Sequence, residues 1–261
     1  MSTIVEFMGL PGSGKSALAR LLLAESKRSG SCAWLPSDAA LVRCLRRRND
    51  GVLRNALKKL PPPAWESLFG SRHTLAELTR FAGSHPALFA FVFEVLNRRP
   101  MPLDWRTCIL HAFFKKAAER LLMDEFLSSG EKVFVEEGFA MGVFTLLDGL
   151  SAPPGEEDVQ RYCRHMPVPQ AVIWVDVDPA QCAARLKKRI ELPLLWAGCS
   201  AAALLDRLSD GRRCLEIAAR EIGARNIPVA RISNPDGRLD GVWPSTWQWV
   251  LSGMASGSVS L

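Results

Sequence analysis

The sequence lacks closely spaced cysteines, and its histidines are few. The seven cysteines, an odd number, include no C-x-x-C pair, so we expect free thiols in a reducing cytoplasm rather than a disulfide framework. The four histidines are scattered and predict no metal cluster. No internal repeat is visible in the chain.

A long apolar run is also missing. The most apolar stretch, residues 87–96, is too short to cross a bilayer and contains Glu94. The N-terminus leads directly into a strand pattern, so no signal peptide is expected. These absences predict a cytoplasmic protein without a membrane span.

Charge of one sign is not in strong excess. The 33 basic and 27 acidic residues leave a formal charge of +6, which suits an anionic ligand but does not by itself indicate nucleic acid. No basic stripe with interleaved aromatic residues is present, so no nucleic-acid partner is expected. Hydrophobic residues make up 48% of the chain, enough for the core of one large α/β domain.

Residues 9–16, GLPGSGKS, match the pattern G-x-x-x-x-G-K-[ST] of a phosphate-binding loop. Residues 4–8 predict a strand before this loop and residues 17–28 a helix after it, the setting that the motif requires. Lys15 would reach the β- and γ-phosphates of a nucleotide, and the Ser16 hydroxyl would bind Mg²⁺. A glycine-rich turn that binds nothing is the alternative. The predicted nucleotide-binding residues of this segment are Gly9, Pro11, Gly12, Ser13, Gly14, Lys15, Ser16 and Ala17.

Five apolar segments separated by helical patterns predict the architecture. Their alternation favours an α/β fold with a doubly wound, parallel, five-stranded sheet and a ligand at the carboxyl ends of the strands. The predicted strands are residues 4–8, 32–35, 132–136, 171–177 and 227–232.

A single domain, residues 1–251, is expected to contain all five strands. Within it, residues 52–129 are predicted to be a helical insertion between strands two and three, which we interpret as a substrate-facing subdomain. Residues 187–213, after the fourth strand, are predicted to form a lid. The Gly- and Ser-rich residues 252–261 are predicted to be a disordered tail.

Acidic residues follow the second and third strands. Asp38 could accept the proton of a substrate hydroxyl that attacks the γ-phosphate, or it could cap the next helix. Glu136 and Glu137 end strand three, and only one of two adjacent strand residues can face the phosphates. We favour Glu136 as the acid that orients Mg²⁺ through water or acts as the base, and we place Glu137 on the substrate side. A solvated charge or a helix cap is the alternative for either.

Two groups of basic residues are candidates for binding anions. Arg43 and Arg47 share a helix face and could hold an anionic group of the substrate, although a solvated helix face is the alternative. Arg185 and Arg189 follow the fourth strand. At least one of these two is expected to neutralise the charge that develops during phosphoryl transfer.

The chain resembles the P-loop kinases of nucleosides, nucleotides and small molecules. This group includes thymidylate, adenylate and shikimate kinases and the kinases that modify antibiotics such as chloramphenicol. Residues 9–16, 133–138 and 175–189 carry the resemblance, together with residues 231–235. The last segment looks like the one near the adenine base, which implies that Asn234 lies there. The resemblance also implies ATP and Mg²⁺ as cofactors and, as in many such kinases, a homodimer.

Departures from thymidylate kinase bear on the acceptor. Glu137 stands where that family usually has an arginine, and strand two ends in Pro-Ser-Asp, which looks like kinases of a free hydroxyl. We therefore expect transfer of the γ-phosphoryl group of ATP to a hydroxyl of a small molecule. One alternative is a nucleotide kinase that phosphorylates a monophosphate held by Arg43 to Arg48. Another is a switch or ATPase that acts through a protein partner, although the absence of an N-K-x-D motif argues against a GTPase.

Overall fold

The computed structural model describes most of the chain. The described residues are 2–30, 34–48, 73–98, 102–147, 155–188, 198–234, 237, 239, 241–252 and 259–260. The first part of the predicted helical subdomain and most of the loop in the predicted lid lie outside these residues.

Six parallel strands form one sheet in the order β2-β3-β1-β4-β5-β6. This confirms the predicted α/β fold with a parallel sheet, to which the structure adds a short sixth strand inside the predicted disordered tail. We call the side on which the strands end the carboxyl edge and the side on which they begin the amino edge. The strands are β1 Thr3–Met8, β2 Trp34–Pro36, β3 Lys132–Val135, β4 Ala171–Asp176, β5 Val229–Ser233 and β6 Val259–Ser260.

The helices of the described residues connect and cover these strands. They are α1 Lys15–Ser29, α2 Ser37–Arg47, α3 His73–Ser84, α4 Pro86–Arg98, α5 Leu103–Phe126, α6 Phe139–Leu147, α7 Glu156–His165, α8 Pro179–Leu186, α9 Ala201–Ala224 and α10 Trp243–Leu251. None of them is both long enough and apolar enough to span a membrane.

Helices pack on both faces of the sheet, so its central strands can be almost continuously apolar. On one face, α1 packs against β1 and β2, and the Trp34 ring stacks on Phe134 with centroids 4.2 Å apart. On the other, α2 and α5 enclose a second apolar cluster that contains Leu35 and Val133. Adjacent residues of β2 therefore point to opposite faces, as the strand period requires.

The ends of two helices follow from local sequence. Asp178 caps α8 by accepting a hydrogen bond from the Ala180 N–H at 2.8 Å, and Pro179 occupies the first helical position, where its missing N–H is not needed. The Ser200 hydroxyl oxygen accepts from the Ala203 N–H at 3.2 Å and so begins α9.

Two helices flank the fourth and fifth strands in the chain. Residues 156–165 form α7, which precedes β4. Helix α9 begins at Ala201, where Leu204 and Leu208 form the N-terminal part of its buried stripe. Its first half therefore belongs to the predicted lid. Helices α3 to α5 lie between β2 and β3 in the chain, and their predicted role in facing a substrate stays a prediction.

Candidate functional site

The loop between β1 and α1 curls at the carboxyl edge, in the centre of the sheet. Gly14 has a φ of +100°, in the left-handed region, and a Cβ at this position would lie 2.7 Å from Asn234 Nδ2. The first residues of α1 point their N–H groups toward the same space. A tight loop that leads directly into a helix N-terminus is suited to bind phosphate groups.

Lys15 lies folded inside this loop. Its buried ammonium donates to the carbonyl oxygens of Gly9 at 2.7 Å and Leu10 at 3.2 Å. Ser16 is exposed beside it on the first turn of α1. Because a phosphate is negatively charged, it would attract the Lys15 ammonium more strongly than the neutral carbonyl oxygens of Gly9 and Leu10 do.

Asn234 and Arg185 support the loop from the opposite side. The buried Asn234 amide donates to the Ser13 carbonyl at 2.8 Å. The Arg185 guanidinium donates to the carbonyls of Gly12 at 3.2 Å and Asn234 at 2.8 Å. Asn234 thus holds the loop through its own amide, a contact that the sequence did not predict. Arg185 lies beside the loop, and its expected role in neutralising developing charge stays a prediction. Arg189 lies outside the described residues.

Asp38 lies in the first turn of α2, directly after β2, and is exposed. Its Oδ1 accepts from the Ala39 N–H at 2.8 Å, and its carboxylate forms no ion pair within the described part of the chain. Because β3 separates β2 from β1, Asp38 follows a strand about 10 Å from the strand of the loop. The turn after β3 therefore lies between the two.

Glu136 and Glu137 form the turn after β3, which pairs directly with β1. Glu136 is half-buried and Glu137 is exposed. Gly138 follows them, and a Cβ at this position would overlap the carboxyl group of Glu6. The turn after β3 therefore needs a glycine because a glutamate occupies the adjacent space.

Glu6 is a buried carboxylate in the middle of β1 that sequence reasoning missed. Its Oε2 accepts from the Ala140 N–H at 2.6 Å, and its Oε1 lies 3.7 Å from Arg120 Nη1. Burial raises the pKa of Glu6, while Arg120 and the Ala140 N–H oppose this shift. One charged residue inside an otherwise apolar strand was the available signal.

Lys116 lies one turn before Arg120 on α5 and was also missed. Its side chain is half-buried, and within the described residues its ammonium has no ion pair or hydrogen bond. Burial lowers the pKa of Lys116, and the carboxylates of Glu137, Glu6 and Glu119 oppose the shift. Lys116 therefore lies close to carboxylates of β1 and of the turn after β3.

The expected anion clamp of Arg43 and Arg47 requires correction. Glu131 immediately precedes β3, at the amino edge, and its Oε1 accepts from Arg43 Nη1 at 3.1 Å and from Arg47 Nη2 at 2.8 Å. Arg47 Nη1 also donates to the Phe126 carbonyl at 2.8 Å. Both arginines thus lie at the opposite edge from the loop and already have an anionic partner, so the structure does not bring them to the site.

Further arginines surround the carboxyl edge on the α9 side. Asp176, the last residue of β4, accepts from Arg212 Nε at 3.0 Å and from Arg231 Nη2 at 2.6 Å. The Arg207 guanidinium lies over the Trp105 ring, 5.1 Å from its centroid, and so connects α9 with the first turn of α5. The crevice at this edge is therefore bordered by α5 and α9.

Two side chains at the carboxyl edge could contribute to a magnesium site. Among the described residues, no group of three or more His, Cys, Asp or Glu side chains forms a metal cage. Mg²⁺ usually takes one or two protein oxygens and completes its shell with water and phosphate oxygens. The Ser16 hydroxyl and the Glu136 carboxylate fit this requirement, and their role as ligands stays a prediction.

The loop, its strand–loop–helix setting and the parallel sheet define a parallel α/β fold with a P-loop after its first strand. No protein-family model and no curated protein matches the chain. Two solved structures are similar over almost the whole chain. Shikimate kinase from Bacteroides thetaiotaomicron has 14% identity and a TM-score of 0.41, with 97% of this chain and 98% of that chain covered. Thymidylate kinase from Candida albicans has 12% identity and a TM-score of 0.48, with 97% and 92% covered. At such identities the similarity concerns the fold alone.

Proposed function

We propose that the protein is a phosphotransferase that moves the γ-phosphoryl group of ATP to a hydroxyl of a small-molecule acceptor. The observation that carries this proposal is the order of groups along the carboxyl edge. The P-loop follows β1, Glu136 follows the neighbouring strand β3, and Asp38 follows β2, the next strand again. An acceptor between the loop and Asp38 would have the phosphate on one side and a base on the other.

Each group has a role in the proposed reaction. Lys15 and the loop N–H groups would hold the phosphate chain, while Ser16 and Glu136 would hold Mg²⁺, which would supply neutralisation of phosphate charge when bound. The acceptor oxygen forms a bond to the γ-phosphorus as the bond from that phosphorus to the bridging oxygen breaks. The hydroxyl proton passes to Asp38, and ADP leaves. Arg185, beside the loop, stabilises the developing charge.

The corrected position of Arg43 and Arg47 weakens one alternative. A nucleotide kinase needs a cationic clamp for the phosphate of its acceptor, and the clamp predicted for it lies at the amino edge, paired with Glu131. The exposed Asp38 carboxylate suits an acceptor that must lose a proton, which a free hydroxyl does.

Replacement of the proposed base provides the test. Purified protein is incubated with Mg²⁺, ATP and a panel of small alcohols, and both ADP release and phosphorylated product are measured. Asp38→Asn is expected to keep its affinity for ATP and to lose about 10²- to 10⁴-fold in transfer. Glu157→Gln, an exposed acid in the first turn of α7, is the matched control.

Three results would each contradict part or all of the proposal. Normal transfer by Asp38→Asn would remove Asp38 from the mechanism. ATP hydrolysis that no alcohol accelerates, but that a protein partner does, would favour the partner-dependent ATPase instead. A failure to bind ATP with Mg²⁺ would overturn the phosphotransferase altogether.

A further inference from the structure

One face of α5 lies against the residues around the turn after β3. The Phe113 ring meets the Phe139 ring edge-on at 6.2 Å between centroids, and Arg120 reaches Glu6 at 3.7 Å. Lys116 lies between these two residues on the same helical stripe, three positions after the first and four before the second. The same helix packs against α2, which carries Asp38 in its first turn. Lys116 is therefore placed near the β3 turn, on a helix that packs against α2, the helix that carries the proposed base.

The partners of Lys116 differ from those of its neighbours. Lys115, the adjacent residue on the helix, is exposed and has a partner, and Arg120 is paired with Glu6. Lys116 is half-buried, and no ion pair or hydrogen bond of its ammonium is present in the described part of the chain. A charge that is withdrawn from water without a partner is costly, and an anion that reaches it removes much of that cost.

The carboxylates near Lys116 do not fill this role. Glu6 is held by Arg120 and by the Ala140 N–H, and Glu119 has a partner of its own. Glu137 is exposed and not within ion-pair distance of Lys116. An anionic group that enters the crevice from the carboxyl edge would meet the ammonium beside Glu137.

We propose that Lys116 is the anion-binding residue of the acceptor site, and that the acceptor is an alcohol bearing a carboxylate or phosphate group. Its anionic group pairs with the Lys116 ammonium while its hydroxyl faces Asp38. This inference rests on the proposed phosphotransfer. The exposed Glu137 carboxylate competes with the ligand for the same ammonium and so favours release of the acceptor.

The test separates this site from the P-loop. Binding of ADP with Mg²⁺ is first measured by calorimetry, and the protein is then saturated with both. Inorganic phosphate or acetate is titrated at constant ionic strength, and binding is followed by tryptophan fluorescence and by the unfolding temperature. These two probes distinguish a phosphate-bearing acceptor from a carboxylate-bearing one.

Charge-removing variants at two adjacent lysines give the matched comparison. Wild type is expected to bind at least one of the two anions saturably, and Lys116→Gln about tenfold or more weakly. Lys115→Gln, the same change one residue away, should bind like wild type. Glu137→Gln should bind more tightly, and Lys116→Arg, which keeps the charge, should retain binding and also control for folding.

The outcomes distinguish the inference from the proposed function. If ADP with Mg²⁺ fails to bind, the phosphotransfer itself is overturned. If the nucleotide binds but neither anion binds saturably, or Lys116→Gln and Lys115→Gln bind alike, the anion site is overturned and the phosphotransfer is not. Phosphate that binds beside ADP within the P-loop would be insensitive to Lys116 and counts against the inference.

Discussion

The two edges of the sheet both carry basic side chains, but their partners differ. At the amino edge, Arg43 and Arg47 share the carboxylate of Glu131. At the carboxyl edge, Lys15 donates to neutral carbonyl groups, and Lys116 has no ion pair among the described residues. Basic residues thus share a carboxylate at one edge, whereas at the other edge Lys15 contacts carbonyl oxygens and Lys116 is the residue that we propose to bind an anion.

Whether a basic side chain can release its present hydrogen-bond acceptor and bind a ligand instead depends on the charge of that acceptor. A carboxylate between two arginines is strongly held, and the Arg47 hydrogen bond lowers the pKa of Glu131 to about 2. The two carbonyl groups to which Lys15 donates are neutral, so an incoming phosphate would attract its ammonium more strongly than they do. The prediction that follows is that changes at the carboxyl edge alter binding, whereas changes at the amino edge alter stability.

The largest expected effect is at Lys15. Lys15→Gln should lower the affinity for ATP with Mg²⁺ by about 100-fold, because charge-assisted hydrogen bonds to phosphate contribute about 1.5–3 kcal/mol each. Calorimetry measures this change. Arg47→Gln, at the amino edge, should change the affinity by less than about twofold. Equal losses of ATP affinity in the two variants would contradict the distinction between the edges.

A smaller effect, on stability rather than on binding, is expected at Glu131. Glu131→Gln removes the charge that two arginines share, and the free energy of unfolding should fall by about 2 kcal/mol. Urea unfolding measures this loss, and nucleotide affinity should remain that of wild type. A variant of unchanged stability but weakened ATP binding would place Glu131 in the site and contradict the comparison.

Particular residues show how much of the difference between the two edges can be predicted from the sequence. Residues 9–16 specify the loop because the motif is local, and β1 is apolar because both of its sides are covered. The spacing of Arg43 and Arg47 correctly predicts a shared helix face. It does not reveal their partner, because Glu131 lies 84 positions from Arg47 in the chain. Contacts between residues so far apart in the chain depend on the order of the strands in the sheet.

The contacts of Glu6 and Lys116 could not be predicted from local sequence patterns for the same reason. Glu6 interrupts an apolar strand, yet its partners come from α5 and from the start of α6. Lys116 looks like any lysine on a helix of mixed composition until the turn after β3 is placed beside it. The roles of Asp38 and Glu136 were predicted from strand ends, and they stay predictions.

The acid stability of the amino edge gives a third prediction. The folded protein holds the pKa of Glu131 at about 2, below its ordinary value of 4.5, so its stabilisation is complete above that value and is lost as the pH falls toward 2. The difference in unfolding free energy between wild type and Glu131→Gln should therefore shrink between about pH 4.5 and 2. Urea titrations at several pH values measure it. If the difference in unfolding free energy stayed constant across this pH range, the pairing of Glu131 with Arg47 would not be what lowers the pKa of Glu131.

The smallest effect is expected at Arg43. Its side chain is 48% exposed, and Arg47 continues to hold the same carboxylate in its absence. Arg43→Gln should change the free energy of unfolding by less than about 0.5 kcal/mol and leave ATP affinity unaltered. Urea unfolding and calorimetry check the two quantities. A marked loss of acceptor phosphorylation in this variant would restore the original expectation of an acceptor clamp.

The hydrogen bonds of Asn234 and Arg185 to the P-loop have a consequence for engineering. These donors lie 221 and 173 positions from the carbonyl groups that they hold. A shortened chain that stopped before β5 would retain the complete eight-residue motif and yet lose the amide that fixes Ser13. Grafting that motif onto a foreign strand would fail for the same reason, so a working hybrid has to inherit the ends of α8 and β5 as well.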